Sequence, residues 1–367
     1  MDRRRFLRTV TAAGAALASP ALAGPATARA ETAPGPSLLP EAAGPLPGRS
    51  IRYLTCDPDF LDARPCFDPT GKYVLFMHQP LRGKDRDQVW LYTMPTARAT
   101  SSPRTCRKPN PFYVNKNLQA TRPDWSWSRQ SFEIAFSGNS DQLWLLDATT
   151  RKAVQVDCTG RNLETLSYPS WTSDGQQIVL TNYARDPRRQ RLLRTSTIPP
   201  TPPFDARCTD ETNPRDVWPG MCSVSPSSPE LVAFAGQAPN LVNTYDQNWN
   251  QIWVKNGSTP AIQLNGLLGR APWWSPTGDR IAYESVLTPS DGYNAFYRIW
   301  VMPYPAPAAP PPVRRPGGRL ATPAHLSVQH AKWSPDGSRI VFAYTIPGAT
   351  PIDGIAPMGI AIVDAPA

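Results

Sequence analysis

The chain has 367 residues, of which 44 are proline, and it carries a net charge of +9. So many prolines argue against long helices, and a length beyond about 250–300 residues indicates repeats or two domains. The N-terminal 30 residues hold +4 of the charge, and the remaining surplus forms no basic stripe interleaved with aromatic residues, so no nucleic-acid partner is expected. After Glu31 no stretch has the about 18 apolar residues of a membrane helix, so no transmembrane segment is expected in the mature chain.

The N-terminus has the order of features of an export signal. Arg3-Arg4-Arg5-Phe6-Leu7-Arg8 precedes a weakly apolar run from Thr9 to Ala23. This pattern resembles a twin-arginine signal peptide, which predicts a signal at 1–30 with cleavage after Ala30, or after Ala23 as an earlier alternative. We therefore expect a bacterial protein that works in the periplasm or outside the cell.

Residues 31–48 follow, rich in proline, alanine and glycine, and are expected to form a flexible lead-in. The rest of the chain, 49–367, is expected to form one domain.

A short pattern recurs along that domain: an aromatic or apolar residue, a tight turn, and a run that favours β-structure. The clearest copies are Trp333 to Phe342, beginning Trp-Ser-Pro-Asp-Gly, and Trp274 to Tyr283, beginning Trp-Ser-Pro-Thr-Gly. Serine or aspartate opens such a turn, proline presets φ, and glycine tolerates positive φ at its end. Each copy therefore predicts a β-hairpin, and weaker copies start at Phe67, Trp127, Trp171 and Val224.

Further strands are predicted after the hairpins. Third strands are predicted at 89–94, 142–147, 191–194, 251–254, 298–302 and 359–364, and fourth strands at 153–156 and 261–264. The six copies start 60, 44, 53, 50 and 59 residues apart. Four-stranded units at this spacing predict an all-β, six-bladed β-propeller of antiparallel blades. A seven-bladed ring would need another repeat between 283 and 333, where 303–316 is instead rich in proline and alanine and favours an extended loop.

The Trp-Ser-Pro-Asp-Gly core and the Trp-Val-Met strand that follows the fifth copy resemble the TolB-like propeller family, over about residues 50–365. The resemblance implies a binding propeller that engages envelope proteins through its channel mouth. The extra N-terminal α/β domain of the envelope translocation protein is lacking here, which puts membership of that machine in doubt.

The two ends of the domain are predicted to meet. The sixth unit ends right after its third strand at 359–364, which would leave an open edge. The spare strand Ser50–Thr55 is expected to complete this unit and close the ring, the alternative being a free N-terminal arm.

The six cysteines favour disulfides in an exported protein, and no C-x-x-C spacing suggests zinc. The expected pairs are Cys56–Cys66 and Cys208–Cys222, each within one connection, with Cys106–Cys158 left by elimination.

Candidate binding residues are those that enter the inner strands, mostly beside proline. In register they would ring one channel mouth, where arginines bind carboxylates or phosphates and aromatic rings stack on sugars or peptides. The predicted set is Arg64, Arg122, Tyr168, Trp218, Arg270 and His330.

Two classes of function follow. The first is a non-enzymatic, monomeric binding or scaffold propeller, with a cell-envelope protein, an acidic peptide or an acidic glycan as its expected partner. The second is a polysaccharide lyase or hydrolase working in the channel. Catalytic signals are poor, because there are only three histidines, His78, His325 and His330, and no G-x-S-x-G elbow. No cofactor and no metal site is predicted.

Overall fold

The computed structural model describes residues 51–86, 88–160, 162–239, 250–286, 297–304, 319–323 and 326–366. The described chain is all-β, with 24 strands and three single-turn 3-10 helices at Thr96–Arg98, Asn139–Asp141 and Pro187–Arg189. None of its helices is long and apolar enough to cross a membrane. The predicted signal peptide and lead-in, His325 and most of the proline-rich loop at 303–316 lie outside the described residues.

Antiparallel pairing arranges the strands in six sets of four, which we call quartets 1 to 6. Quartet 1 contains β2 (Phe60–Phe67), β3 (Tyr73–Pro80), β4 (Trp90–Pro95) and β5 (Asn110–Tyr113). Quartet 2 contains β6 (Thr121–Trp125), β7 (Ile134–Ser137), β8 (Leu143–Leu146) and β9 (Ala153–Thr159). Quartet 3 contains β10 (Thr165–Trp171), β11 (Ile178–Tyr183), β12 (Arg191–Thr195) and β13 (Phe204–Asp210).

The second half of the chain repeats this order. Quartet 4 contains β14 (Trp218–Ser225), β15 (Ser228–Gln237), β16 (Gln251–Asn256) and β17 (Ile262–Leu268). Quartet 5 contains β18 (Arg270–Trp274), β19 (Arg280–Val286), β20 (Tyr297–Pro303) and β21 (Arg319–Leu320). Quartet 6 contains β22 (Val328–Trp333), β23 (Arg339–Thr345), β24 (Met358–Asp364) and the N-terminal β1 (Arg52–Tyr53).

Two parallel contacts join quartets, so the hydrogen-bonded sheets number four rather than six. The outer strands β9 and β13 pair in parallel, and Leu61 of β2 pairs with Met358 of β24. Quartets 2 and 3 thereby form one eight-stranded sheet, and quartets 6 and 1 form another.

The first strand of each quartet, which we call its inner strand, contacts the inner strands of the neighbouring quartets. Contacts run from β2 through β6, β10, β14, β18 and β22 and return to β2. The inner strands therefore form a closed ring.

The N-terminal segment completes quartet 6, as the sequence predicts. Arg52 pairs with Ile362 and Tyr53 with Ala361 on β24. Thr55 extends this contact, since its Oγ1 accepts from the backbone N–H of Ile360 at 2.9 Å and its carbonyl accepts from the hydroxyl of Tyr344 at 3.0 Å. The edge of β24 is thus covered rather than exposed.

The hairpin turns form where the repeated motif predicts them except in quartet 2, whose inner strand ends at Trp125 rather than at the predicted Trp127. Gly71, Gly175, Gly278 and Gly337 close four of them with φ between +67° and +71°, a region that glycine enters without a Cβ clash. In the last turn Ser334 Oγ donates to Asp336 and accepts from the backbone N–H of Arg339 at 2.9 Å. Apolar side chains of adjacent quartets pack between them; for example, Leu231 and Ala233 of quartet 4 share one cluster with Trp274 and Ile281 of quartet 5.

The disulfide predictions are wrong. The bond that forms joins Cys56 to Cys106, with Cα atoms 5.7 Å apart, so neither Cys56–Cys66 nor Cys106–Cys158 exists. Tyr53 and Thr100 exchange backbone hydrogen bonds of 2.7 and 2.8 Å, which bring the loop after β4 beside the N-terminal strand. Cys208 and Cys222 are also unpaired thiols, and Cys222 instead donates to the carbonyl of Tyr168 at 3.4 Å. Proximity in sequence was a poor guide because the connection from β1, the outer strand of quartet 6, to β2, the inner strand of quartet 1, separates Cys56 from Cys66.

Candidate functional site: the central channel

A bulge interrupts the pairing of every inner strand with the second strand of its quartet. The register shifts between Ala63 and Cys66 in quartet 1, and at corresponding places in the other five. In five quartets a non-glycine residue at the bulge has left-handed φ: Arg64 (+54°), Arg122 (+54°), Tyr168 (+53°), Ala271 (+47°) and His330 (+60°). Such backbone costs free energy, and it is concentrated at functional sites where a side chain must be aimed.

Four of the six predicted binding residues occupy these bulges, namely Arg64, Arg122, Tyr168 and His330. The other two, Trp218 and Arg270, do not occupy a bulge. In quartet 4 the shift lies between Pro219 and Cys222, so Trp218 precedes the bulge and is buried opposite Gln237. In quartet 5 the bulge residue is Ala271, and Arg270 stands one position before it.

Tyr168 lies between two arginines from other quartets. The guanidinium carbon of Arg64 is 4.7 Å and that of Arg122 is 4.9 Å from the centre of the phenol ring. Both arginines are less than a tenth exposed, whereas Tyr168 is half-buried. The channel interior therefore presents a phenol flanked by two cations.

Glu284 braces the opposite side of this cluster. It is fully buried, and its Oε2 accepts from Nε of Arg270 at 2.7 Å while its Oε1 accepts from the backbone N–H of His330. The guanidinium carbon of Arg270 also lies 3.6 Å from the ring centre of Tyr297. One carboxylate thus neutralises Arg270 and holds the strained backbone of β22.

Two titratable groups report a positive potential in the channel. Burial alone would raise the pKa of the Tyr168 phenol, but the charges of Arg64 and Arg122 outweigh it and lower the pKa. Burial, followed by the charges of Arg64, Arg270 and Arg122, lowers the pKa of His330 well below its ordinary value. His330 is therefore neutral at pH 7, and its Nδ1 is buried with no hydrogen-bond partner. Both shifts have the sign that a cationic site produces.

A cavity of about 190 Å³ adjoins this cluster. It is lined by residues from all six inner strands and the hairpin turns after them, typically two positions beyond the bulge residues. At its side Lys332 Nζ donates to Asp124 Oδ1 at 3.0 Å and lies 4.0 Å from the ring centre of Trp273. Indoles form much of its wall: Trp125, Trp127, Trp171, Trp273, Trp274 and Trp333.

The bulge residues of the predicted set therefore lie two residues along the inner strands from the residues that line the open cavity, and Arg64 and Arg122 are each less than a tenth exposed. Sequence reasoning missed Glu284, Asp124 and Lys332. Asp124 and Lys332 stand two residues after Arg122 and His330, so alternation along a strand offered a signal. Glu284 offered none, because its role depends on two quartets meeting. Within the described residues no three His, Cys, Asp or Glu side chains are grouped so as to hold a metal ion.

Comparison with known proteins finds similarity at the level of structure. No family model matches the chain. No curated protein matches it at a significant level. An oligogalacturonate lyase from Vibrio parahaemolyticus has a TM-score of 0.50 at 12% identity, covering 87% of this chain and 97% of that one. An oligogalacturonate lyase in complex with manganese gives 0.50 at 14%, covering 89% and 98%. A putative TolB from Agrobacterium tumefaciens gives 0.48 at 14%, covering 87% and 99%.

These likenesses concern the fold alone. At 12% and 14% identity the two lyases support an all-β, propeller-like architecture over almost the whole described chain. Which molecule enters the channel has to be argued from its own residues.

Proposed function

We propose that this chain is an exported six-bladed β-propeller that binds an acidic ligand in its central channel without transforming it. The six quartets are the blades, and the two parallel contacts between quartets are local additions to the ring. A carboxylate-bearing segment of an envelope protein or of an acidic glycan is the ligand class that this channel fits best.

The observation that carries the proposal is the cationic cluster beside the open cavity. Arg64 and Arg122 flank Tyr168, and His330 presents a buried, unpartnered Nδ1. Guanidinium groups bind carboxylates with charge-assisted hydrogen bonds, which are stronger than neutral ones. The exposed Trp127 and the half-buried Trp125 and Trp273 provide flat apolar faces for the uncharged part of the ligand.

Calorimetry with a trigalacturonate and with its neutral methyl ester tests the ligand class. A short peptide that ends in glutamate, and its amide, test the peptide class in the same way. We expect the acids to bind at least tenfold more tightly than the neutral partners, and the difference to shrink at high salt. Equal affinity of acid and neutral forms would contradict the proposal.

Variants locate the binding. Arg64→Met and Arg122→Met keep an unbranched apolar stem and remove one guanidinium charge each, so each is expected to weaken acid binding about ten- to a hundredfold. Arg188→Met is the matched control, because the Arg188 side chain is 86% exposed. If Arg188→Met weakens binding as much as Arg64→Met does, the ligand sits on the surface and not in the channel.

Tyr168 favours a lyase as the second candidate function. The two arginines lower the pKa of Tyr168, and its phenolate can take the proton from the carbon next to a uronate carboxylate whose charge the arginines neutralise. The C–H electron pair then forms the new C=C bond, the C–O bond to the neighbouring sugar breaks, and that sugar leaves as an alcohol after taking up a proton. A hydrolase would need a pair of free carboxyl groups, whereas Asp124 and Glu284 are bonded to Lys332 and Arg270. No step is assigned to a metal.

Ultraviolet absorbance of unsaturated product from oligogalacturonate or another polyuronate separates the two functions. A lyase would produce it in the wild-type chain, would lose it in Tyr168→Phe, and would keep it in the control Tyr73→Phe, since Tyr73 is exposed. Binding without product in the wild-type chain supports the non-enzymatic proposal.

Export is part of the proposal. Arg3 and Arg4 stand at the paired positions of the twin-arginine pattern, and a disulfide fits an oxidising compartment. Replacing both arginines by lysine is expected to retain the precursor in the cytoplasm. Unchanged export of that variant would contradict the twin-arginine route.

A further inference from the structure

The outer strands of quartets 2 and 3 lie side by side, and each carries one cysteine. β9 and β13 pair in parallel, with Val156 opposite Phe204 and Cys158 opposite Ala206. Cys208 lies two residues beyond Ala206 on β13. Among the described residues, no disulfide joins the outer strands of quartets 2 and 3.

Alternation places the two thiols on the same face of this pair. On β9 the side chains of Val156 and Cys158 point inward, while their neighbours are exposed. On β13 the even-numbered residues Phe204, Ala206 and Cys208 are buried and their neighbours are exposed. Residues two apart on a strand share a face, so Cys208 is the diagonal neighbour of Cys158.

The two cysteines share one apolar cluster. Cys158 packs against the cluster that contains Cys208, and a hydrogen bond between the two thiols shifts the pKa of both. The bond from Cys158 lowers the pKa of the Cys208 thiol, against the opposing effect of burial. Cys158 is partly exposed, and Cys208 is 5% exposed. One thiol is thus open to a reagent and the other is placed to react next.

We propose that Cys158 and Cys208 form a second disulfide that joins the outer strands of quartets 2 and 3. The oxidant is a disulfide of low molecular weight, such as oxidised glutathione, or of a dithiol oxidoreductase. Cys158 loses its proton and attacks that disulfide, which gives a mixed disulfide and releases one thiol. The Cys208 thiolate then attacks Sγ of Cys158 and expels the second thiol, so the protein loses two electrons and the oxidant gains two.

The remaining free thiols are shielded from this chemistry. Burial raises the pKa of Cys66 and of Cys222 to about 12 each, and both lie on inner strands. Each is less than 4% exposed. The hydrogen bond to Cys208 and burial raise the pKa of Cys158 as well, so exposure is what distinguishes the outer pair. A thiol must be reached to be oxidised, and Cys158 is the one that is partly exposed, so oxidation is expected to start there.

The new bond would match the existing one in span. Cys56 and Cys106 are 50 residues apart, as are Cys158 and Cys208. Both bonds lie toward the outer edge of the ring. The first ties the N-terminal strand of quartet 6 to the loop after β4, and the second would tie quartet 2 to quartet 3.

Peptide mapping of the full-length mature protein tests the proposal. The protein is reduced, treated with oxidised glutathione, denatured, alkylated and digested with trypsin without further reduction. Cleavage releases residues 153–161 and 208–215, which contain one cysteine each. We expect these two peptides to be linked in most of the chains. Recovery of both as separate alkylated or glutathionylated peptides would overturn the proposal, provided that the Cys56–Cys106 link forms in the same sample.

Variants identify the order of attack. In Cys208→Ser the reaction is expected to stop at glutathione on Cys158, because the resolving thiol is gone. Cys222→Ser is the matched control and should form the 153–161 to 208–215 link as the parent does. Thermal unfolding of the oxidised protein should occur about 5 °C above that of oxidised Cys158→Ser, from the closure of a 50-residue loop. A linked protein that unfolds at the same temperature as this variant would contradict a stabilising role.

Discussion

Two layers of residues follow each other along the channel and use the same six inner strands in different ways. The cavity layer lines the open cavity, and the cluster layer contains Arg64, Arg122, Tyr168 and His330. In the cavity layer the large indoles also belong to the packing between quartets: Nε1 of Trp274 donates to the carbonyl of Ser223 and Nε1 of Trp333 to that of Trp273, both at 3.1 Å. Each bond runs to the inner strand of the preceding quartet. In the cluster layer, Arg64, Arg122, Tyr168 and His330 stand on bulges with left-handed φ, and the two arginines contact the ring of Tyr168. The comparison teaches that the cavity layer maintains the ring and the cluster layer is available for function.

Loss of a buried indole should be the largest effect. Trp333 is 1% exposed and lies in the apolar cluster between quartets 5 and 6. Trp333→Ala is expected to lower the free energy of unfolding by about 4 kcal/mol, measured by denaturant titration.

Trp127→Ala is the matched control in the same layer, because Trp127 is 40% exposed. It should change the free energy of unfolding by less than about 0.5 kcal/mol. Similar losses in the two variants would remove the distinction between packing indoles and exposed indoles.

Loss of the buried Glu284 carboxylate should have the next largest effect on the free energy of unfolding. Glu284→Gln leaves the buried Arg270 without its counter-charge and is expected to cost about 3 kcal/mol of unfolding free energy. Arg64→Met, in the same layer, should cost much less, because it removes a buried cation. If Arg64→Met proves as destabilising as Glu284→Gln, the arginines of the cluster are structural and the proposed division of the channel fails.

The smallest effect is a dependence on pH. His330 lies among Arg64, Arg122, Arg270 and Lys332, with Glu284 on its backbone, and its pKa in the folded protein is well below the unfolded value of 6.5. Below pH 6.5 the unfolded chain therefore takes up a proton that the folded chain does not, and stability falls as the pH falls. The slope from this group is at most about 1.4 kcal/mol per pH unit.

Thermal or denaturant unfolding between pH 7.5 and 5 measures this slope. His330→Gln should flatten the curve in that range, while other groups continue to contribute to it. An unchanged slope in His330→Gln would show that neither burial nor the neighbouring arginines lower the pKa of this imidazole.

The chain's own pattern determined the strands, the turns and the meeting of its two ends. Apolar alternation and the serine-proline-glycine turns are local signals, so β22 and β23 could be placed from residues within each hairpin. The unpaired strand at Ser50–Thr55 and the missing fourth strand after Asp364 pointed to each other, because an open edge is unfavourable.

Only the tertiary structure decided what meets across quartets. The register of Trp218 and Arg270 was wrong, since the bulge of quartet 4 lies after Pro219 and that of quartet 5 is occupied by Ala271. The bond between Cys56 and Cys106 and the contact between Cys158 and Cys208 join residues 50 positions apart. Glu284 likewise acts across quartets, because it binds Arg270 in its own quartet and the backbone of His330 in the next. Local sequence fixes the torsions of a strand, whereas the distances between strands from different quartets arise only when the ring closes.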